Sequence, residues 1–240
     1  MRNFAQWLRR YPAFFDRLNR VNRRWRHASP IYTELAKHLP ADKSFTFLQI
    51  GANDGISHDP YREFMIRTNA RGVAVEPVPE IFTVMKRNYK AYPNVSPENC
   101  GIGYPAGRWP FYTYTPAFLK SRVDSTELAE LASFYREKLS CLLTPNMEEQ
   151  NECIQEIYIP VLTVEDIMIK HGFDRFDCLF VDCEGHEENI LNQLDYSVVK
   201  PRLIVFEHTH FGERAEKIEA HLSVRGFVFT RLSHDTIASR

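Results

Sequence analysis

The chain has 240 residues, 44% of them hydrophobic and 25% charged, which is typical of a globular protein with one large domain or a domain plus an appendage. No run approaches 18 consecutive apolar residues, so we expect no membrane-spanning helix, and no apolar run follows the first arginines as in a secretory signal. The five cysteines form no CxxC motif, so we expect reduced thiols in a cytoplasmic protein and no zinc ribbon.

The net charge of −1 conceals a basic N-terminus on an acidic body. Residues 1–27 hold eight arginines against Asp16 alone. Apolar residues recur there at three- and four-residue spacing, which predicts a basic amphipathic helical extension over 1–39, ending in a short helix from Pro30 to His38. We expect this extension to pack on the domain or to form a homodimer. Peripheral membrane contact is the alternative, and nucleic-acid binding is not expected.

From residue 40 to 240 short apolar runs alternate with amphipathic helices. The predicted strands are 45–50, 72–75, 178–181 and 203–206, and the predicted helices are 78–91, 163–171, 186–194 and 213–225. This alternation predicts an α/β fold with a mostly parallel, twisted sheet and helices on both faces. We expect 227–232 and 235–238 to add antiparallel edge strands.

Residues 104–160 do not follow the alternation. They contain five prolines and an aromatic cluster, and we expect a helix at 124–138. We therefore predict an insertion. It lies either over the carboxyl edge of the sheet, where such folds bind ligands, or at the periphery as a subdomain.

Acidic residues stand at the carboxyl ends of the predicted strands, where they would crowd one edge of the sheet and require a cationic or hydroxyl-rich partner. The turn from Gly51 to Gly55 lacks the GxGxxG spacing, which disfavours a dinucleotide and hence a nicotinamide-dependent oxidoreductase. S-adenosylmethionine has no phosphate and tolerates this bulkier turn. Glu76, at the end of the next strand, can accept hydrogen bonds from both ribose hydroxyls.

Several blocks of the sequence resemble the FkbM-type methyltransferase family. They are residues 50–55 (IGANDG), 59–60 (DP), 72–80 (GVAVEPVPE), 181–187 (VDCEGHE) and 204–208 (IVFEH). The resemblance extends over about residues 45–238. It implies the class I, Rossmann-like methyltransferase fold, S-adenosylmethionine as cofactor and O-methylation of hydroxyls on sugars or natural products.

The resemblance also implies roles for individual residues. The glycine turn would hold the methionine part of the cofactor and Glu76 its ribose, and the segment after the third strand would lie by the adenine, although Pro97 interrupts the usual apolar pattern there. The residues expected to bind the cofactor are Gly51, Ala52, Asn53, Asp54, Gly55, Glu76, Pro77, Asn99, Cys100 and Asp182.

A sugar hydroxyl is a poor nucleophile, so we expect a general base near the transferred methyl. His208 is the first candidate and His186 the second, with Asp182 and Glu184 also in the catalytic turn. The residues expected to contact the acceptor are His58, Asp59, Glu207 and His210. Asp182, Glu184 and Glu207 are candidate ligands for magnesium.

The leading hypothesis is an S-adenosylmethionine-dependent O-methyltransferase acting on a saccharide or glycan, in polysaccharide or glycolipid assembly. One alternative is methylation of a non-sugar natural-product hydroxyl. The other is a non-catalytic scaffold that recruits partners through the arginine-rich N-terminus.

Overall fold

The structure is a computed structural model that describes residues 30–39, 44–57, 59–122, 128, 131–140, 147–208 and 213–240. The predicted extension up to residue 29, His58 and His210 lie outside the described residues. The strands are β1 Thr46–Ile50, β2 Arg71–Val75, β3 Val95–Glu98, β4 Gly101–Ile102, β5 Gly107–Tyr114, β6 Ile154–Leu162, β7 Cys178–Val181, β8 Leu203–Glu207, β9 Val228–Arg231 and β10 Asp235–Ser239. The helices are α1 Pro30–His38, α2 Arg62–Arg67, α3 Pro79–Asn88, α4 Pro116–Lys120, α5 Arg136–Ser140, α6 Met147–Cys153, α7 Val164–His171, α8 Glu187–Gln193, α9 Tyr196–Val199 and α10 Glu213–Ser223.

The central sheet has seven strands in the order β3-β2-β1-β7-β8-β10-β9. The first five are parallel, and β10 pairs antiparallel with both β8 and β9. The predicted mostly parallel α/β sheet is therefore confirmed. The expectation that both last strands lie at the edge is wrong, because β10 is interior. Its Ile237 and Ala238 are buried, whereas Val228 on the true edge strand β9 is exposed.

Side chains that alternate along the strands feed two separate hydrophobic clusters, one on each face of the sheet. On β1, Leu48 packs with residues of α7, α8 and α10, while its neighbour Phe47 packs with residues of α1, α2 and α3. Both faces of the sheet are therefore covered by helices.

Helix α7 shows that local sequence signals fix its ends. Thr163 and Asp166 form a reciprocal capping box at its start, and Gly172 ends it in the left-handed conformation with φ 66°. Within the described residues no helix is long and apolar enough to span a membrane.

The insertion builds a second sheet in the order β4-β6-β5, with β5 and β6 antiparallel from Gly107 to Tyr114. The single helix predicted at 124–138 is wrong over residues 131–135, where Ser133 pairs with Tyr112 as an isolated β-bridge. Leu128 and residues 136–138 are helical, the latter within α5. Tertiary contacts override the local propensity here: the ring of Phe134 packs edge-on against Phe111, which holds this stretch extended.

Candidate active site

Gly51 lies where the end of β1 almost touches the end of β7. Its N–H donates to the carbonyl of Val75 at 3.1 Å, and the N–H of Asp182 donates to the carbonyl of Ile50 at 3.0 Å. Gly51 has φ +81°, and a Cβ there would lie 1.7 Å from the carbonyl oxygen of Asp182. Only glycine fits this position, and its lack of a side chain lets the two strand ends close one wall of a cavity.

The rest of the glycine turn is held by its own side chains. The Asp54 carboxylate accepts hydrogen bonds from the N–H groups of Ile56 and Ser57, at 2.8 and 2.6 Å, and from the Ser57 hydroxyl at 2.8 Å. Gly55 has φ +71°, and a Cβ there would lie 2.5 Å from the ring of Tyr89. The Asp54 carboxylate therefore stabilises the loop through these hydrogen bonds. It does not line the cavity that the loop borders.

Glu76 directly follows β2, and its buried carboxylate bridges two loops. One oxygen accepts from the N–H of Asn53 at 3.1 Å and the other from the N–H of Val78 at 2.8 Å. Burial raises the pKa of Glu76 to about 7, against the lowering effect of these two hydrogen bonds. Within the described residues this carboxylate has no ion-pair partner, so it is an acceptor suited to hydroxyl groups.

The segment after β3 supports Glu76 and supplies the next part of the wall. The Asn99 amide donates to the carbonyls of Glu76 and Pro77, at 2.8 and 3.1 Å. Cys100 lines the cavity, and burial raises the pKa of its thiol to about 12, so it stays protonated. Pro97 is accommodated within β3 because this strand is the edge of the sheet.

These elements border one cavity, here called the first cavity. Its wall includes Gly51, Ala52, Asn53, Asp59, Glu76, Pro77, Cys100, Phe111, Phe134, Asp182 and Glu184. Of the residues predicted to bind the cofactor, Asp54, Gly55 and Asn99 do not line this cavity. Phe111 and Phe134 belong to the insertion, which thus lies over the carboxyl edge of the sheet.

The turn after β7 is held by a residue that the sequence reasoning missed. Glu187, fully buried in α8, accepts from the N–H groups of Cys183 and Gly185 at 2.8 and 3.3 Å. Between them Glu184 takes φ +53°, which is uncommon for a residue with a side chain. The sequence signals for Glu187 are its place in the 181–187 block that resembles the family and in the first turn of a helix, where acids are frequent.

His186 lies in an aromatic box and not in the wall of the first cavity. Its ring is 3% exposed and packs against Trp109, Phe134 and Tyr135, and the Tyr135 hydroxyl is 3.1 Å from Nδ1. Burial lowers the pKa of His186 to about 4, so the imidazole is neutral near pH 7. This placement suits packing of the insertion onto the turn better than proton transfer.

A second cavity opens on the other side of Asp182. It has a volume of about 610 Å³ and shares Asp59, Pro60, Tyr61 and Asp182 with the first cavity. Glu207 and Asp235 belong to its wall alone. The two cavities therefore adjoin along these four residues, one of which, Asp182, directly follows β7.

The carboxylates of the second cavity resist ionisation. Burial, followed by the charges of Glu207 and Glu184, raises the pKa of Asp182 well above its ordinary value. Burial and the nearby Glu184, Glu187 and Asp235 raise the pKa of Glu207 to about 7, with Lys138 opposing. At neutral pH Glu207 is thus close to half-ionised.

His208 lines neither cavity. Its Nδ1 is 3.1 Å from the Thr236 hydroxyl, and its backbone N–H donates to the carbonyl of His234. Within the described part of the chain, no group of three or more His, Cys, Asp or Glu side chains has the geometry to hold a metal ion. The magnesium site suggested for Asp182, Glu184 and Glu207 is therefore not supported.

The glycine turn, the carboxylate that follows the neighbouring strand and the sheet order are those of the Rossmann-like, class I methyltransferase fold. The chain belongs to the FkbM methyltransferase family, since residues 49–229 match the family described as Methyltransferase FkbM domain. This assignment confirms the resemblance found in the sequence. No curated protein matches the chain significantly.

Solved structures resemble this chain at low sequence identity. The FkbM methyltransferase from Methylobacillus flagellatus KT is 15% identical with a TM-score of 0.50; the alignment covers 82% of this chain and 44% of that one, so this chain spans less than half of its length. The ribosomal protein L11 methylase from Lactobacillus delbrueckii subsp. bulgaricus is 13% identical, with coverages of 89% and 78% and a TM-score of 0.43. Fibrillarin from Aeropyrum pernix, solved with natively bound S-adenosyl-L-methionine, is 10% identical, with coverages of 87% and 72% and a TM-score of 0.40.

Proposed function

We propose that this chain is an S-adenosylmethionine-dependent O-methyltransferase whose acceptor is a hydroxyl of a saccharide or glycan. The observation that carries the proposal is the Glu76 carboxylate. It is buried at the edge of the first cavity, beside a glycine turn that no other residue type could form.

The residues of the first cavity fit this cofactor. Each Glu76 oxygen accepts one backbone N–H and keeps acceptor capacity for a further donor, as a ribose diol requires. Gly51, Ala52 and Asn53 would face the methionine part, and Cys100 with Pro77 would border the adenine. When bound, the cofactor supplies a methyl group already activated as a sulfonium.

Asp182 and Glu207 are the residues we assign to the acceptor hydroxyl. Asp182 follows β7 and Glu207 is the last residue of β8, and these adjacent parallel strands are in register at Val181 and Phe206. Asp182 borders both cavities, so a hydroxyl bound to its carboxylate lies at their junction. Glu207, with a pKa of about 7, can take the proton of the acceptor hydroxyl at neutral pH. Glu207 therefore replaces His208 as our first candidate for the general base. Alignment and exclusion of water would supply much of the remaining rate enhancement.

The predictions about partners concern mostly residues outside the described part of the chain. Helix α1 packs on the domain through the buried Ile31 and Leu35, and Tyr32 meets Phe64 edge-on. Homodimerisation through the N-terminal helices, peripheral membrane contact and a cytoplasmic location stay proposals.

Methyl transfer from labelled S-adenosylmethionine to methyl glycosides, oligosaccharides and sugar nucleotides tests the proposal. The expected product is an O-methyl ether, identified by NMR. Label transferred to nitrogen or carbon would contradict O-methylation. Absence of both cofactor binding and turnover would favour the scaffold alternative, which deletion of residues 1–27 would then examine.

A further inference from the structure

The second cavity has an amphipathic wall. Its apolar side chains come from α1, the end of the glycine turn, the segment before α2 and the β9–β10 hairpin. Its carboxylates come from the segment before α2, the residue after β7, the last residue of β8 and the first residue of β10. The apolar members are Pro30, Ile31, Ile56, Pro60 and Leu232, and the acidic members are Asp59, Asp182, Glu207 and Asp235. A volume of about 610 Å³ is in the range of small-molecule sites.

The described wall suits an uncharged ring that carries several hydroxyls. Carboxylates accept hydrogen bonds from hydroxyl groups, and apolar side chains cover the C–H face of such a ring. The titratable side chains of this wall are Tyr61 and His234 besides the four carboxylates, and no lysine or arginine belongs to it among the described residues. A phosphate or carboxylate on the ligand would find no lysine or arginine partner on the described wall. It would also be repelled by those carboxylates of the wall that are ionised, Glu207 among them near neutral pH.

Tyr61 fixes one of these carboxylates in place. Its hydroxyl donates to Asp235 Oδ1 at 2.8 Å, and its ring stacks on Phe180 with the centroids 4.5 Å apart. Burial and the nearby Asp235, Asp182 and Asp59 raise the pKa of this hydroxyl, which keeps it a donor. Asp235 in turn is the register partner of Glu207 across β10 and β8. The hydrogen bond therefore ties the segment before α2 to the strand pair that carries the acids.

We propose that the second cavity is the acceptor subsite, that it takes an uncharged polyhydroxylated ring, and that Tyr61 is a positioning residue that holds Asp235 toward the ligand. This inference rests on the proposed function, since it names the place and the charge class of the acceptor. It also explains why Asp182 borders both cavities: the donor lies on one side of it and the acceptor on the other.

Isoleucine side chains report on each cavity separately. Ile50 and Ile102 line the first cavity, and Ile31 and Ile56 line the second. The full chain, labelled with 13C at the isoleucine methyl groups, is first saturated with S-adenosylhomocysteine. It is then titrated with methyl α-D-glucopyranoside, methyl α-D-mannopyranoside and methyl α-L-rhamnopyranoside, and with methyl α-D-glucopyranosiduronate as the charged counterpart of the first.

S-adenosylhomocysteine is expected to shift the methyl signals of Ile50 and Ile102. At least one neutral glycoside is expected to shift the methyl signals of Ile31 and Ile56. The uronate is expected to bind at least about fivefold more weakly than the glucoside. Glycoside shifts confined to Ile50 and Ile102, no glycoside shifts at all, or equal binding of the uronate would overturn the inference. If S-adenosylhomocysteine leaves the methyl signals of Ile50 and Ile102 unchanged, the proposed function fails instead.

Two matched substitutions test the role of Tyr61. Tyr61→Phe keeps the stacked ring and removes the donor, so we expect an unchanged affinity for S-adenosylhomocysteine and about fivefold weaker glycoside binding, the worth of one hydrogen bond. Asp235→Asn keeps an acceptor for Tyr61 but replaces the other carboxylate oxygen by an NH2 group, so it should also weaken glycoside binding by about fivefold. Its affinity for S-adenosylhomocysteine should be unchanged, because Asp235 lines only the second cavity. Glycoside affinity that is the same in Tyr61→Phe as in the wild type would show that the pair is only structural.

Discussion

The Glu76 carboxylate accepts a 3.1 Å hydrogen bond from the backbone N–H of Asn53, and this contact joins the end of β2 to the loop that follows β1. The N–H of Val78 donates to the other carboxylate oxygen, so hydrogen bonds hold both oxygens of Glu76. A ligand that donates hydroxyl groups to this carboxylate is therefore held beside the glycine turn. The methyltransferase proposal depends on that placement.

Gly51→Ala should be strongly destabilising, because its Cβ would meet the Asp182 carbonyl at 1.7 Å in a backbone with φ +81°. We expect a loss of more than about 3 kcal/mol in the free energy of unfolding, from strain and steric overlap together. Gly172→Ala is the matched control, since Gly172 also has a positive φ, +66°, but a Cβ there meets nothing within 4 Å. That control should cost about 1–2 kcal/mol. Urea denaturation measures both, and equal losses would contradict the steric argument.

Glu207→Gln should lower kcat by about 10²–10⁴-fold, as expected when a general base is removed. Affinity for S-adenosylhomocysteine should stay within about twofold of the wild type, because Glu207 lines only the second cavity. In the wild type, kcat should rise with pH through about 7, since the ionised carboxylate is the base. His208→Ala is the comparison and should cost less than tenfold. If His208→Ala abolishes turnover while Glu207→Gln does not, histidine is the base.

His186→Phe should change how stability depends on pH. Burial lowers the pKa of His186 to about 4 in the folded chain, below its ordinary value of 6.5. The unfolded chain therefore takes up a proton first, so stability is complete above pH 6.5 and is lost as the pH falls toward 4, by about 3 kcal/mol. Phenylalanine keeps the aromatic packing and does not titrate, although it loses the contact with Tyr135.

The comparison is made by urea denaturation at several pH values from 7 to 4. At pH 7 the wild type should be more stable than His186→Phe by about 1 kcal/mol, the worth of the hydrogen bond to Tyr135. The difference should shrink or reverse toward pH 4. Other groups titrate alike in both proteins, so a constant difference would mean that His186 is not held neutral by burial.

Features that depend on local sequence were predictable. The apolar runs predicted the bounds of β7, 178–181, as the structure has them. They predicted the bounds of β1, β2 and β8 to within one residue. The capping box at Thr163 and the left-handed Gly172 follow from side-chain hydrogen bonds within one turn and from glycine geometry. Glu76 was recognised because acids that end parallel strands must share one edge of the sheet.

Features that depend on distant contacts were not predictable. Ser133 leaves the predicted helix because it pairs with Tyr112 and its hydroxyl donates to the carbonyl of Glu184. β10 lies between β8 and β9 because it pairs with both strands, its Asp235 with Glu207 of β8. No local sequence signal specifies that pairing. Glu187 lies in the 181–187 block that resembles the family, but its role is visible only when the turn from Cys183 to Gly185 folds over it.

Calorimetric titration of S-adenosylhomocysteine into the wild type, Glu76→Gln and Glu98→Gln tests the central claim most directly. The side-chain amide introduced by Glu76→Gln would have to point an N–H group at the N–H of Asn53 or Val78, so we expect at least about tenfold weaker binding at pH 8. Glu98 ends the neighbouring strand but pairs with Lys170 and His171, so its substitution should leave the affinity unchanged. Wild-type affinity should also fall between pH 8 and pH 6, as Glu76 is protonated near pH 7, and Glu76→Gln should lack this dependence. Binding by Glu76→Gln that equals the wild type at both pH values would contradict the account.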